Sequence, residues 1–354
     1  MAFQRKARTE YESKPSRIMR DNHINVPAEE SRILEERIRA EIDQQGPIRF
    51  ERFMEMALYA PGLGYYVRRR DPFGRGGDFY TAEQLQPVFG VLIAQAIASL
   101  RKRAGSPAGF RVVELGAGRG EMAAALDEFG YTAIEALDDG WPDHMTGVVF
   151  ANEFFDALPV RVAVRRGRRF IEQMVNWRDG RFVFVDGGRA TGELGEYLAR
   201  YYANVEDGAT VEAHLGGLKA IDRIAAALDG YLVAIDYGYT TREFVRHTAG
   251  TLMSYRRHVA TPDVLADPGD RDITSHVPFS VLEDRLKQRG ATMERFSTLA
   301  SFLLDAGEAD EFAAAIECAD EKEALRRRMQ LKTLMFGMGE TFRVMMARCV
   351  GRVG

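Results

Sequence analysis

Residues 112–121 read VVELGAGRGE, which sets a carboxylate, Glu114, two positions ahead of glycines at 116, 118 and 120. A glycine turn between a strand pattern and a helical one brings backbone N–H groups and a helix N-terminus close to a ligand. Three readings are open for such a turn: a dinucleotide site, an S-adenosyl-L-methionine site, and a purely structural turn. The acid weighs against the first, because a carboxylate beside the loop opposes a pyrophosphate. It suits a ligand that carries an ammonium and a sulfonium. Glu114, Gly116, Gly118 and Gly120 are therefore candidate contacts to S-adenosyl-L-methionine. An acid about 20 residues further on commonly bonds the ribose hydroxyls. Glu135 in YTAIEA is the best-placed candidate, with an ordinary exposed loop acid as the competing reading.

A second group of functional residues lies in ANEFFDALPV, residues 151–160, directly after the apolar run GVVF. In an open α/β sheet, ligands bind beyond the carboxyl ends of the strands. Asn152, Glu153 and Asp156 thus fall where a methyl acceptor would lie, and Asn152 is a candidate contact to the cofactor as well. A guanidinium stays charged at neutral pH and presents its donors in a planar fork. Glu153 and Asp156 can hold that fork, draw its positive charge to the distal nitrogens and take the proton released late in a direct displacement. Capping of a following helix is the competing reading for Asn152 and Asp156. A flipped base would prefer a neutral pocket of amides and aromatics. Phe154 and Phe155 would suit one, but the neighbouring acids would not.

The elements that must position these residues follow from periodicity. Ser31 reads as the N-cap of a helix carrying Ile33, Leu34, Ile38 and Ile42, stopped by Gly46-Pro47. FERFMEMALYA forms a second helix, halted at Pro61-Gly62, and VFGVLIAQAIASL a third. RVVEL, GEMAAALDEF, YTAIEA and GVVFANE then alternate strand and helix patterns, which predicts a parallel sheet flanked by helices. VRVAVRRGRRFIEQMVNWRDGRFVFV alternates polar and apolar residues around RRGR and RDGR, which predicts antiparallel hairpins. YLVAIDYG and FRVMMARC read as further strands. The expected organisation is a mobile tail over 1–30, an N-terminal helical cap over 31–105, and an α/β Rossmann-like domain over 106–354 with an insertion at about 160–228.

Composition narrows the classes. The chain has 354 residues, 46% of them hydrophobic, enough for a substantial core. Its net charge of −4 gives no global reason to expect nucleic acid. Arg165, Arg166, Arg168 and Arg169 read as a solvated hairpin tip, with an acidic partner or RNA as the competing reading. Cys318 and Cys349 have no metal-ligand spacing, so neither a disulfide nor a metal site is expected, and a reducing compartment is. No apolar run approaches the roughly 18–20 residues of a membrane span.

Several blocks occur in one order: GPIRFERFMEMALYAPGLGYY, FGRGGDFYTAEQLQPVFG, VVELGAGRGE, NEFFDALPV, IDYGY, GTLMSYRRH, DITSHVPF and GMGETFRV. Together they resemble the MidA-like methyltransferases, a family that includes a mitochondrial complex I assembly factor acting on a protein arginine. The resemblance implies a class I methyltransferase fold with an N-terminal helical cap, S-adenosyl-L-methionine as cofactor and a protein arginine as acceptor. It places Gly77, Asp78, Phe79 and Thr81 near the cofactor, and Asp236, Tyr237 and His276 on the acceptor side. Helix capping by Asp78 and Thr81, and a structural His276, are the competing readings. The partner expected is a protein substrate, such as a respiratory-complex subunit, with a homodimer as the candidate assembly; the net charge and the lack of a long apolar run predict no nucleic acid and no membrane insertion. The expected location is cytoplasmic, or the mitochondrial matrix in a eukaryote. A small-molecule methyltransferase and a non-catalytic assembly protein with a degenerate pocket are the alternatives.

One departure bears on the cofactor. Between Tyr131 and Thr146 there is room for one strand and a loop, where the family has two strands and a helix; a parallel crossover alone takes about a dozen residues. Either YTAIEA is the second strand and a later unit is gone, or it is the third. In the latter case the ribose acid is absent or is replaced by Asp138 or Asp139.

Overall fold

The computed structural model describes residues 29–68, 82–135, 140–257 and 259–351. The tail expected over 1–30 lies outside them, except for Glu29 and Glu30, which open the first helix.

The central sheet is built from β1 (Arg111–Leu115), β2 (Thr132–Ile134), β3 (Met145–Asn152), β4 (Leu228–Tyr239), β5 (Val277–Pro278), β6 (Thr292–Thr298) and β7 (Phe342–Cys349). Its order is β6-β7-β4-β3-β1-β2, and β5 pairs with the end of β4. β2, β1, β3 and β4 run parallel. β7 runs against both β4 and β6. The unbroken apolar runs of β3 and β4 reflect cover on both faces. Val148 and Phe150 point into one buried cluster with Tyr231, Val233 and Ile235. Val149 and Ala151 point into the other with Leu232 and Ala234.

β2 pairs directly with β1, Val113 opposite Thr132 and Leu115 opposite Ile134. YTAIEA therefore takes the second-strand position, and among the described residues no strand lies beyond it. Asp138 and Asp139 lie outside the described residues. The helix expected from GEMAAALDEF is reduced to one α turn, Ala123–Leu126, and a 3-10 turn, Asp127–Phe129. Gly130, at φ 65°, then turns the chain straight into β2. The crossover is too short to carry more.

Helix α1 (Glu29–Gln45) and helix α2 (Phe50–Tyr59) bury Leu34, Ile38, Phe50, Phe53 and Met54 against Val160, Val162, Val175 and Phe182 of the insertion. The insertion is antiparallel, as the alternation predicts: strands Arg161–Arg166, Arg169–Arg178, Arg181–Arg189 and Thr210–Ala213. Ile48–Arg49, between α1 and α2, adds a strand to its edge. The hairpin turns hold Gly167 at φ 57° and Asp179-Gly180 at φ 50° and 77°; left-handed residues match the twist of tight hairpins. At the first tip Arg165 bonds the Gly167 carbonyl at 2.7 Å and Arg166 pairs with Asp186 at 3.6 Å. Helix α3 (Val88–Arg103), placed in the cap by its position in the chain, instead packs Val88, Phe89, Leu92 and Ile93 onto the central sheet.

Ser31 is not an N-cap. It lies within the first turn of α1, buried, where its Oγ donates to the Pro268 carbonyl at 3.2 Å and accepts from Arg68 at 3.0 Å. A tertiary tie has taken the hydroxyl that local sequence would assign to a cap.

Candidate active site

β1 delivers Glu114 to its carboxyl end, and Gly116 turns the chain away by bonding the Ile134 carbonyl at 2.9 Å. Gly116, Gly118 and Gly120 all have left-handed φ, at 67°, 54° and 69°. A Cβ on Gly116 would approach the Phe154 ring to 3.1 Å, so this glycine lets the NEFFDALPV loop close against the turn. A Cβ on Gly120 would meet nothing within 4 Å, so the turn is not filled there. Glu114 is 1% exposed. Its Oε2 accepts from the Tyr131 hydroxyl, while the buried Oε1 has no partner. Burial pushes its carboxyl up to about 7, against the lowering effect of the Tyr131 bond. Glu135, just past β2, is exposed; burial of part of its carboxyl raises its pKa while the Gly118 N–H, which it accepts, holds it down. Of the residues expected to contact the cofactor, Glu114, the three glycines and Glu135 are thus brought together at the carboxyl ends of β1 and β2.

β3, the neighbour of β1, ends at Asn152, which is buried. Glu153 follows with φ 50°, a left-handed conformation that costs energy in a residue with a side chain. Its backbone N–H bonds the Ile235 carbonyl at 2.9 Å. Its Oε1 receives two long contacts, from the Ala82 N–H and from Asn152 Nδ2, both 3.4 Å. No helix follows this motif, so the capping reading of Asn152 and Asp156 does not apply. The loop is held from below instead. Asp236 at the end of β4 is wholly buried and accepts from the N–H groups of Phe155 at 3.0 Å, Asp156 at 3.2 Å and Tyr237 at 2.9 Å. Asp236 therefore fastens the loop and faces no open space.

Asp156 is 5% exposed, and its Oδ1 is buried without a partner. Burial pushes its carboxyl well above the usual range, and the charges of Asp236 and Asp272 add to the shift. Glu153 is raised likewise, by burial first and then by Asp156. The wall opposite is aromatic. The Tyr66 hydroxyl donates to Asp272 Oδ1 at 2.8 Å, the Tyr59 hydroxyl donates to the Ala157 carbonyl at 2.9 Å, and the two rings stack at 5.7 Å.

His276 stands apart from the carboxylates. Its backbone N–H donates to Thr251 Oγ1 at 3.0 Å, its ring meets His247 edge-on at 5.3 Å, and burial lowers its pKa to about 4. Tyr237 packs its ring on Phe342 at 4.0 Å. Gly77, Asp78, Phe79 and Thr81 lie outside the described residues. Glu83, Tyr59, Tyr66 and Asp272 lie close to these acids and were not singled out in the sequence, although each sits inside one of the family blocks.

The crevice suits S-adenosyl-L-methionine. A carboxylate oxygen of Glu114 lacks an N–H or O–H donor, the glycine turn is open at Gly120, and the acids around it would repel a pyrophosphate. Glu114 would hold the amino group, Glu135 the ribose, and the turn at 116–120 the carboxylate end.

A parallel sheet with one reversed strand, a glycine turn after β1 and an acid-lined crevice at the strand ends define a class I S-adenosylmethionine-dependent methyltransferase. The family model described as "Putative S-adenosyl-L-methionine-dependent methyltransferase" matches residues 128–297. A Burkholderia thailandensis protein, solved bound to S-adenosyl-homocysteine, is 32% identical with a TM-score of 0.81, over 91% of this chain and 94% of that one. The chain belongs to the MidA-like family of S-adenosylmethionine-dependent methyltransferases. The Drosophila melanogaster relative, named protein arginine methyltransferase NDUFAF7 homolog, mitochondrial, is 25% identical over 73% of this chain and 70% of its own length. The Mus musculus protein arginine methyltransferase NDUFAF7 is 34% identical over 76% of this chain and 73% of its own.

Proposed function

We propose that the acceptor is an arginine side chain of a protein. The observation that supports this is the pair Glu153 and Asp156. Both carboxyls are held above their usual range by burial and by the acids around them, and among the described residues neither forms an ion pair. Buried charges of one sign are costly unless a counter-charge arrives. A guanidinium supplies that charge and fits two carboxylates through its planar fork. The rings of Tyr59 and Tyr66 offer a wall for its aliphatic stem and flat face.

The cofactor supplies an electrophilic methyl group. The chain's own residues do the rest. Glu153 and Asp156 localise the guanidinium charge on the nitrogens they bond, which leaves the remaining nitrogen better able to attack. Asp236 keeps the loop rigid, so that alignment of nitrogen, carbon and sulfur is set before the reaction; such alignment accounts for much of the catalysis in a direct displacement. Either acid then receives the proton. The reading takes a protein, such as a respiratory-complex subunit, as substrate, in the cytoplasm or in the mitochondrial matrix of a eukaryote. The names of the fly and mouse relatives support it. No helix among the described residues is long and apolar enough to cross a membrane.

The test is transfer of labelled methyl from S-adenosyl-L-methionine into a cell extract, followed by acid hydrolysis and amino-acid separation. Label in methylarginine is expected. Label confined to lysine, to carboxyl esters or to the small-molecule fraction overturns the arginine acceptor.

A further inference from the structure

Glu83 opens out of a single 3-10 turn, Ala82–Gln84, that leads into α3. It is only 6% exposed, although a glutamate in a short surface turn ordinarily reaches solvent. Its carboxyl hydrogen-bonds that of Glu114, and the charges of Glu114, Glu153 and Glu121 all bear on it. From the other elements around it come Tyr131, which donates to Glu114 Oε2, and Glu135 past β2. Arg119, the nearest basic residue of the glycine turn, leans to Glu121 at 3.8 Å. Apart from the contact with the Glu83 carboxyl, the buried Glu114 Oε1 has no hydrogen-bond partner, which marks the place for a further donor.

We propose that Glu83 is a second carboxylate of the subsite for the cofactor's amino group, sharing with Glu114 one proton that leaves when the ammonium binds. Two hydrogen-bonded carboxyls in a buried site share one proton more readily than both ionise. The direction of both shifts agrees: burial raises each, and Glu114 adds to the rise at Glu83. The arriving ammonium brings one positive charge and three N–H donors. Its bonds to the two carboxylates replace the shared O–H, and the displaced proton passes to water, so charge and atoms balance. The pair titrates as a unit, and its apparent values belong to both residues. The proposal rests on the cofactor and not on the arginine acceptor, so its failure and that of the acceptor assignment are separable.

Calorimetric titration of the full chain with S-adenosyl-homocysteine, in buffers of different ionisation heat, counts the protons released. Near pH 6.5 the wild type is expected to release a large fraction of one proton per ligand bound. 5′-Methylthioadenosine, which lacks the amino-acid end, should release almost none. Glu83→Gln should cut the release by more than half and weaken S-adenosyl-homocysteine at pH 8 by roughly tenfold or more, the scale of one charge-assisted hydrogen bond. Glu83→Asp should restore the release with intermediate affinity. Equal proton counts for the two ligands on wild-type protein overturn the proposal whatever the variants do. So does a folded Glu83→Gln protein with unchanged release and affinity.

Discussion

Replacing Asp156 by asparagine separates a functional carboxylate from a structural one, because the two roles move activity and stability in different directions. Asp156 is 5% exposed, has an unpartnered buried oxygen, and lies within the fields of Asp236 and Asp272. Its own N–H, not its side chain, makes the bond that anchors the loop to Asp236. The Asp156→Asn variant would keep the shape and that anchor, and lose only the charge. The lost guanidinium contact is a charge-assisted hydrogen bond, about 1.5–3 kcal/mol, which corresponds to roughly 10- to 150-fold in kcat/KM for the acceptor. Stability should move the other way or hold, since a buried carboxyl crowded by like charges has been neutralised. A gain of about 1 kcal/mol would raise the melting midpoint of a chain this long by roughly 1–2 °C. The assays are labelled methyl transfer at saturating cofactor, thermal melting, and titration with S-adenosyl-homocysteine, which should be unchanged. A variant that melts several degrees lower while transferring methyl at the wild-type rate would refute the reasoning and make Asp156 a structural residue.

Gly116→Ala should weaken cofactor binding and lower the melting midpoint together, because its φ of 67° is unfavourable for alanine and the new methyl meets Phe154 at 3.1 Å; titration with S-adenosyl-homocysteine and melting curves check both. Asp236→Ala leaves the buried N–H donors of Phe155 and Asp156 without their acceptor, at about 1–3 kcal/mol each, and frees the part-buried one of Tyr237, so chemical denaturation should show a loss of several kcal/mol and transfer should vanish. Glu114 sets a pH dependence of opposite sense to most carboxylates. Its folded pKa of about 7 lies above the ordinary 4.5, so the folded chain holds a proton that the unfolded chain has lost. Its contribution to stability is complete below about pH 4.5 and disappears as pH rises through about 7. Melting of the ligand-free protein between pH 5 and 8 should therefore slope less steeply downward in Glu114→Gln.

Much of this architecture was legible because it is local. GVVFANE and YLVAIDYG announce strands covered on both faces, and Gly167 and Asp179-Gly180 announce their hairpins. The glycine turn and the acid before it could be read as chemistry because residue type, spacing and strand end coincide in one short stretch. What escaped depends on contacts far apart in the chain. Ser31 has the sequence of a cap, but Pro268 and Arg68 claim its hydroxyl. GEMAAALDEF has helical periodicity, yet the short path from β1 to β2 leaves room for a turn only. Asp236 reads as a lining acid at a strand end, while its bonds to the loop some 80 residues earlier make it an anchor. Glu83 is an unremarkable acid in TAEQ until folding sets it beside Glu114.

We propose that these carboxylates receive the cationic end of a ligand, and a crystal structure of the chain with S-adenosyl-homocysteine tests that most directly. The expected result is the ligand's amino group bonded to Glu114 and its ribose hydroxyls to Glu135, with Glu153 and Asp156 facing the sulfur across open space. A ligand bound elsewhere, or an amino group turned to solvent with Glu114 still sealed against Tyr131 and Glu83, would contradict it.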